Sequence, residues 1–146
     1  AENDGWSVAK HLLTFERGGR YAPALIERLS RLKLREGIDP VTRARLGHEA
    51  VSLRALQALE MKAMRGLGGS PALYASVLKV LGTEAAQRID TLDCDIAGID
   101  AWSMANGQTP ADLATAVPRY LNDRAASIYA GSNEIQRDLI SRQLLG

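Results

Sequence analysis

The sequence predicts an all-α fold, an antiparallel up-down bundle of the four-helix type. Three observations carry this. Apolar residues recur at steps of three and four over long stretches, and no segment shows convincing period-two alternation. Two helical runs open on a cap residue followed by proline, Asp39-Pro40 and Ser70-Pro71, each just after a glycine that stops the run before it. Aromatic residues make up only 5% of the chain, so the core is built of Leu, Ala, Ile and Val, which suits packed helices.

In chain order, Gly5 to Phe15 holds a short helix that Asp4 can cap. Trp6, Ala9, Leu12 and Leu13 share one side, and Trp6 is expected in the core. A charged knot, Phe15-Glu16-Arg17-Gly18-Gly19-Arg20, precedes a second helix with Tyr21, Leu25, Leu29 and Leu32 on its stripe. Pro23 is tolerable there only in the first turn. Gly37-Ile38 is expected to end it, and Asp39-Pro40 opens the third helix, striped by Leu46, Ala50, Leu53, Leu56, Leu59 and Ala63 and stopping near Arg65. From Ser70-Pro71, the residues Tyr74, Leu78, Leu81, Ala85, Ile89, Leu92 and Ile96 form the cleanest amphipathic run, about seven turns long. Residues 98–109 read as a loop, Thr109-Pro110 starts a short helix with Asp112 near its N-terminus, and Pro118 opens a helix leading to Tyr129.

Composition narrows the function. At 146 residues the chain is one domain with room for a core, and 46% hydrophobic and 24% charged residues are ordinary for a globular protein. A net charge of +1 argues against a nucleic-acid partner. No apolar run approaches the roughly 18–20 residues of a membrane span. The single cysteine, Cys94, allows no intrachain disulfide. The first residues lack signal-peptide character. The cytoplasm is therefore the expected compartment, and the abrupt start reads as a domain cut from a longer chain. His11 and His48 have no ligand-spaced partner, and Cys94 is read as a helix-face residue, so no metal is expected. There is no Gly-x-Ser-x-Gly or P-loop motif. Arg43, Arg45 and Arg54 read as a solvated face.

The stretch richest in chemistry is Ala126 to Arg137, ASIYAGSNEIQR. A helix arrives at Ile128-Tyr129, breaks at Gly131 and leaves again from Ser132, which can cap the new helix. The corner offers free amides and the positive end of a helix dipole, suited to a phosphate, a carboxylate or an electron-rich heterocycle. On spacing alone it reads first as an ordinary helix–helix turn.

YAGSNEIQR followed by DLISRQLLG resembles the C-terminal signature of the acyl-CoA dehydrogenase family in its bacterial branches. Asn3 to Lys10 and Phe15-Glu16-Arg17 resemble the entry to that family's C-terminal helical domain, and Tyr74 to Lys79 resembles its third long helix. The resemblance implies a fragment of an enzyme that removes a proton beside the thioester carbonyl of an acyl-CoA and passes hydride from the next carbon to FAD. Its electrons would leave to an electron-transfer flavoprotein or a similar acceptor. A homodimer or homotetramer would be the assembly.

Residue by residue, the resemblance implies the following. Many members place the catalytic glutamate just before the corner glycine; here that position is Ala130, which cannot act as a base. Other members place it on the N-terminal side of the second helix, where Glu16 stands in register beside Arg17, so Glu16 is the expected base and Arg17 a substrate contact. Gly131 would lie against the thioester, and Arg142 matches a position on the CoA side. Ser132, Asn133 and Glu134 match the FAD-contacting triplet, with Glu134 where some members carry glutamine. The Arg–x–x–Phe–Gly stretch that reaches a neighbouring subunit's FAD is replaced by Leu34 to Pro40, leaving Arg35 as the candidate. The usual Gly-Gly-x-Gly is replaced by Ile96 to Ile99. Two other readings remain: a non-catalytic subunit that completes a partner's FAD site, and a flavin-free helical interaction module.

Overall fold

The computed structural model describes residues 4–16, 19–102 and 114–146. Six α-helices run through them: α1 (Gly5–Glu16), α2 (Ala22–Lys33), α3 (Pro40–Met64), α4 (Pro71–Ala97), α5 (Ala116–Asp123) and α6 (Asn133–Leu145). Among the described residues there is no strand.

The caps behave as the sequence predicts at two starts. The Asp39 carboxylate accepts from the Val41 and Thr42 amides at 2.8 and 3.1 Å, and the Ser70 hydroxyl accepts from the Leu73 amide at 3.1 Å. The start of α2 is different. Tyr21 gives no side-chain cap; instead Glu60 reaches across from α3, and its Oε1 accepts from the amides of Tyr21 at 2.6 Å and Ala22 at 3.0 Å.

Helix α4 is the spine. It packs against α1, α2, α3, α5 and α6. Leu25, Leu29 and Leu32 of α2, Leu46, Leu53 and Leu56 of α3, and Leu78, Ala85, Ile89 and Leu92 of α4 form the main buried cluster. The polar side of α4 carries a charged clamp. Arg28 of α2 lies 2.5 Å from buried Asp90 and 3.4 Å from Asp123 of α5. Arg35 lies 2.9 Å and Arg119 3.8 Å from Asp93.

Several expectations are corrected. Trp6 is 70% exposed rather than buried. Among the described residues α1 packs chiefly against α4, and Trp6, Val8 and Leu12 face outward. Leu81, placed on the apolar stripe of α4, is 43% exposed. α2 ends at Lys33, before Gly37: its last turn tightens through bonds from the Leu34 and Arg35 amides to the carbonyls of Arg31 and Leu32, and Leu34 has no core to join. α5 starts two residues before Pro118 and stops at Asp123 instead of reaching Tyr129. The Gln87 side chain donates to the Asp123 carbonyl at 2.8 Å, taking an acceptor that a continuing helix would use, and residues 125–127 coil into a 3-10 turn. Within the expected loop, Ile99–Trp102 forms a 3-10 turn, and the Trp102 ring meets Tyr120 edge-on at 5.8 Å. The helix expected from Thr109-Pro110 and Asp112 lies outside the described residues.

Candidate functional site

The corner between α5 and α6 forms where the sequence places it. Ala130 and Gly131 both take positive φ, 56° and 89°. The glycine does so freely, whereas an alanine held there costs roughly 1–2 kcal/mol. Ser132 then returns to extended backbone, and its hydroxyl accepts from the Ile135 amide at 3.4 Å. Helical geometry leaves the amides of Asn133 and Glu134 without intrahelical acceptors at the positive end of α6.

Beneath the corner lies a buried polar network that the sequence reading missed. Asn133 is 2% exposed and Lys79 of α4 is 1% exposed. The Lys79 ammonium donates to Asn133 Oδ1 at 2.7 Å. The Asn133 amide nitrogen donates to Thr83 Oγ1 at 3.1 Å and to Glu84 Oε1 at 3.3 Å. Thr83 is itself anchored to the Lys79 carbonyl at 2.8 Å, and Arg137 pairs with Glu84. Gln136, fully buried, donates to the Gly131 carbonyl at 3.4 Å, while its Oε1 has no hydrogen-bond partner. The side chain of Asn133 is thus a peg into the bundle. The available signal was Lys79 itself, a lysine one helical turn from buried Ala75 and Thr83 on the apolar run.

The other candidates sit apart from this network. Glu134 is exposed on the first turn. Hydrogen bonds from its own amide and from Ser132, then the charges of Arg137 and Lys79, hold its carboxyl below the usual range. Arg142 pairs with Asp138 at 2.9 Å near the exposed end of α6, about 13 Å along the helix from its start. Arg35 binds Asp93, ten residues along α4 from Thr83, or about 15 Å away. One chain therefore does not bring Arg35 to the corner. Arg35 lines a groove of about 550 Å³ with Arg28, Arg31 and Arg119, whose charges are met by Glu27, Asp90, Asp93 and Asp123.

Glu16 is the last residue of α1; its side chain and the whole of Arg17 lie outside the described residues. The chain that follows does approach the corner. A Cβ placed on Gly82 of α4 would fall 2.2 Å from the Tyr21 ring, so the ring lies directly on that glycine. Burial raises the Tyr21 pKa, and the Tyr129 phenol and Glu60 add to the rise. Tyr129, next to Ala130, is thus within electrostatic reach of Tyr21.

Among the described residues no group of three His, Cys, Asp or Glu side chains could hold a metal ion. Cys94 is buried on α4, where burial and then the charges of Asp93, Asp90 and Asp95 push its thiol up. No described helix is long and apolar enough to cross a membrane.

Comparison with known proteins agrees with this architecture. Residues 3–145 match the family described as acyl-CoA dehydrogenase, C-terminal domain. Over the whole chain the sequence is 32% identical to acyl-CoA dehydrogenase IpdE1 of Mycobacterium tuberculosis, covering 39% of that protein. Over 98% of the chain it is 33% identical to acyl-CoA dehydrogenase IpdE1 of Mycolicibacterium smegmatis, covering 37% of it. The chain thus spans under two-fifths of the length of these relatives. No solved structure matches it significantly. A helical bundle hinged at a glycine corner, matched nearly end to end, places the chain in the acyl-CoA dehydrogenase C-terminal domain family.

Proposed function

We propose that this chain is the C-terminal domain of a longer FAD-dependent acyl-CoA dehydrogenase that acts in the cytoplasm as a homodimer or homotetramer. The observation that carries the reading is the corner: two positive-φ residues turn the chain into α6 above a buried polar base. The residues present fit a flavin dinucleotide. Helix geometry leaves the start of α6 with amide donors, and among the described residues Gln136 Oε1 beside the corner is a buried acceptor without a hydrogen-bond partner, a pairing that suits the acceptors and donors of a flavin.

In this reading the main chain at Ser132, Asn133 and Glu134 holds FAD, and Arg35 serves a neighbouring subunit's FAD, consistent with its separation from its own corner. Gly131 lies against the acyl-CoA thioester, while Arg17 and Arg142 contact the substrate. Glu16 takes the proton from the carbon beside the thioester carbonyl, a task for a carboxylate facing a desolvated substrate. FAD held there would supply the hydride acceptor for the next carbon, with an electron-transfer flavoprotein or similar acceptor as the outlet for the electron pair. The Tyr21 ring packed on Gly82, within electrostatic reach of Tyr129, supports a common cleft for the end of α1 and the corner.

Ala130 favours one second reading, because the residue before the corner glycine carries no carboxylate: a non-catalytic subunit that completes a partner's FAD site. Purification of the full-length parent protein separates the two. The first reading expects a yellow protein whose flavin absorbance bleaches on adding an acyl-CoA without any other subunit. A yellow protein that bleaches only with a second, different chain supports the partner-subunit reading, and a colourless protein that binds no FAD overturns both.

A further inference from the structure

A lysine that is 1% exposed calls for an explanation. Burying an ammonium is expensive, and an apolar residue of similar size is often as stable or more so. Lys79 nevertheless sits at the middle of the bundle, and its ammonium donates to Asn133, a side chain that pegs the flavin corner, at 2.7 Å. Thr83 and Glu84, one turn further along α4, hold the amide end of the same side chain. Gln136 restrains the Gly131 carbonyl from the other side. Asn133, Gln136 and Ser132 thereby fix the first turn of α6 at both of its faces.

We propose that Lys79 is a positioning residue for the flavin corner: by holding Asn133 from beneath, its ammonium fixes the start of α6 against α4 where the FAD reading places the cofactor. The inference rests on the FAD reading above. It makes the Asn133 side chain an inward anchor of the corner rather than a direct FAD contact. It also gives Lys79 an electrostatic part. A buried positive charge below the corner favours the electron-rich, reduced flavin over the oxidised one.

The test uses the full-length FAD-loaded protein and the variant Lys79→Met, which keeps the length of the stem and removes the charge. Leu53→Ala, a destabilising change in the α3 core and outside the Lys79–Asn133 network, is the control. Lys79→Met is expected to weaken FAD binding by about tenfold or more and to move the flavin reduction potential to a more negative value. Leu53→Ala, at comparable thermal stability, is expected to leave the potential unchanged. If Lys79→Met fails to fold, Thr83→Val decides. It preserves shape, removes both hydroxyl contacts to the Asn133 side chain, and is expected to weaken FAD binding and speed amide exchange at Asn133 and Glu134. A wild-type protein that binds FAD, with Lys79→Met or Thr83→Val matching its FAD affinity and potential, overturns the inference alone. A wild-type protein that binds no FAD overturns the underlying reading.

Discussion

Glu60 gives the clearest energetic prediction. It is 3% exposed, and its Oε1 serves both the Tyr21 and the Ala22 amide, the latter on a residue with no exposure at all. These are charge-assisted bonds to donors at the positive end of α2. Glu60→Ala strands the buried Ala22 amide and the half-buried Tyr21 amide, each costing roughly 1–3 kcal/mol, and leaves a small void beside them. The sum is about 3–5 kcal/mol. Glu60→Gln keeps an oxygen in place and loses only the charge, so its effect is expected to be about 1 kcal/mol. Urea unfolding of the 146-residue chain, followed by circular dichroism, measures both. The reasoning fails if Glu60→Ala lies within about 1 kcal/mol of wild type, or if the Gln variant is as damaged as the Ala variant.

Other outcomes follow from the same packing. Gly82→Ala gains up to about 1 kcal/mol of helix propensity, but its Cβ would lie 2.2–2.6 Å from three atoms of the Tyr21 ring. The clash wins, and a net loss of about 1–3 kcal/mol is expected in the same urea assay. Asp90 is held up at about 7, first by burial and then by its hydrogen bond with Asp123, against the pull of Arg28 and Arg119. Burial works against Asp123, yet the hydrogen bonds from Asp90 and Asn122 and the charge of Arg28 bring its carboxyl below the usual range. A folded-state pKa raised above the unfolded one means that the stability Asp90 contributes is present in acid. That stability is lost as pH rises from about 4 through about 7. Asp90→Asn is therefore expected to flatten the decline in melting temperature across that window, and an unchanged pH profile would refute the assignment.

Much of the bundle was legible because its signals are local. Asp39-Pro40 and Ser70-Pro71 cap where they stand, and the stripes of α2 and α3 face the core as their spacing requires. What was not legible depends on partners distant in sequence. Glu60 looks like a surface charge between Leu59 and Met61 until α2 arrives with two unpaired amides. Gly82 looks like a weak point in a helix until the Tyr21 ring covers it. Gln87 stops α5 from another helix. Trp6 misled because a large apolar side chain need not be buried by the chain that carries it. At the site, the break at Gly131 was readable from one residue type. Asn133 was readable as part of a motif but not as a buried peg, since that role exists only when Lys79, Thr83 and Glu84 lie beneath it.

The account centres on Glu16 sharing a flavin cleft with the Gly131 corner. The direct measurement is single-turnover reduction of the bound flavin by acyl-CoA in the full-length protein, comparing wild type with Glu16→Gln. The account predicts unchanged FAD content and reduction slowed by about 10²–10⁴-fold. Reduction within about threefold of the wild-type rate would contradict it, because a proton-abstracting carboxylate cannot be replaced by an amide at so small an effect.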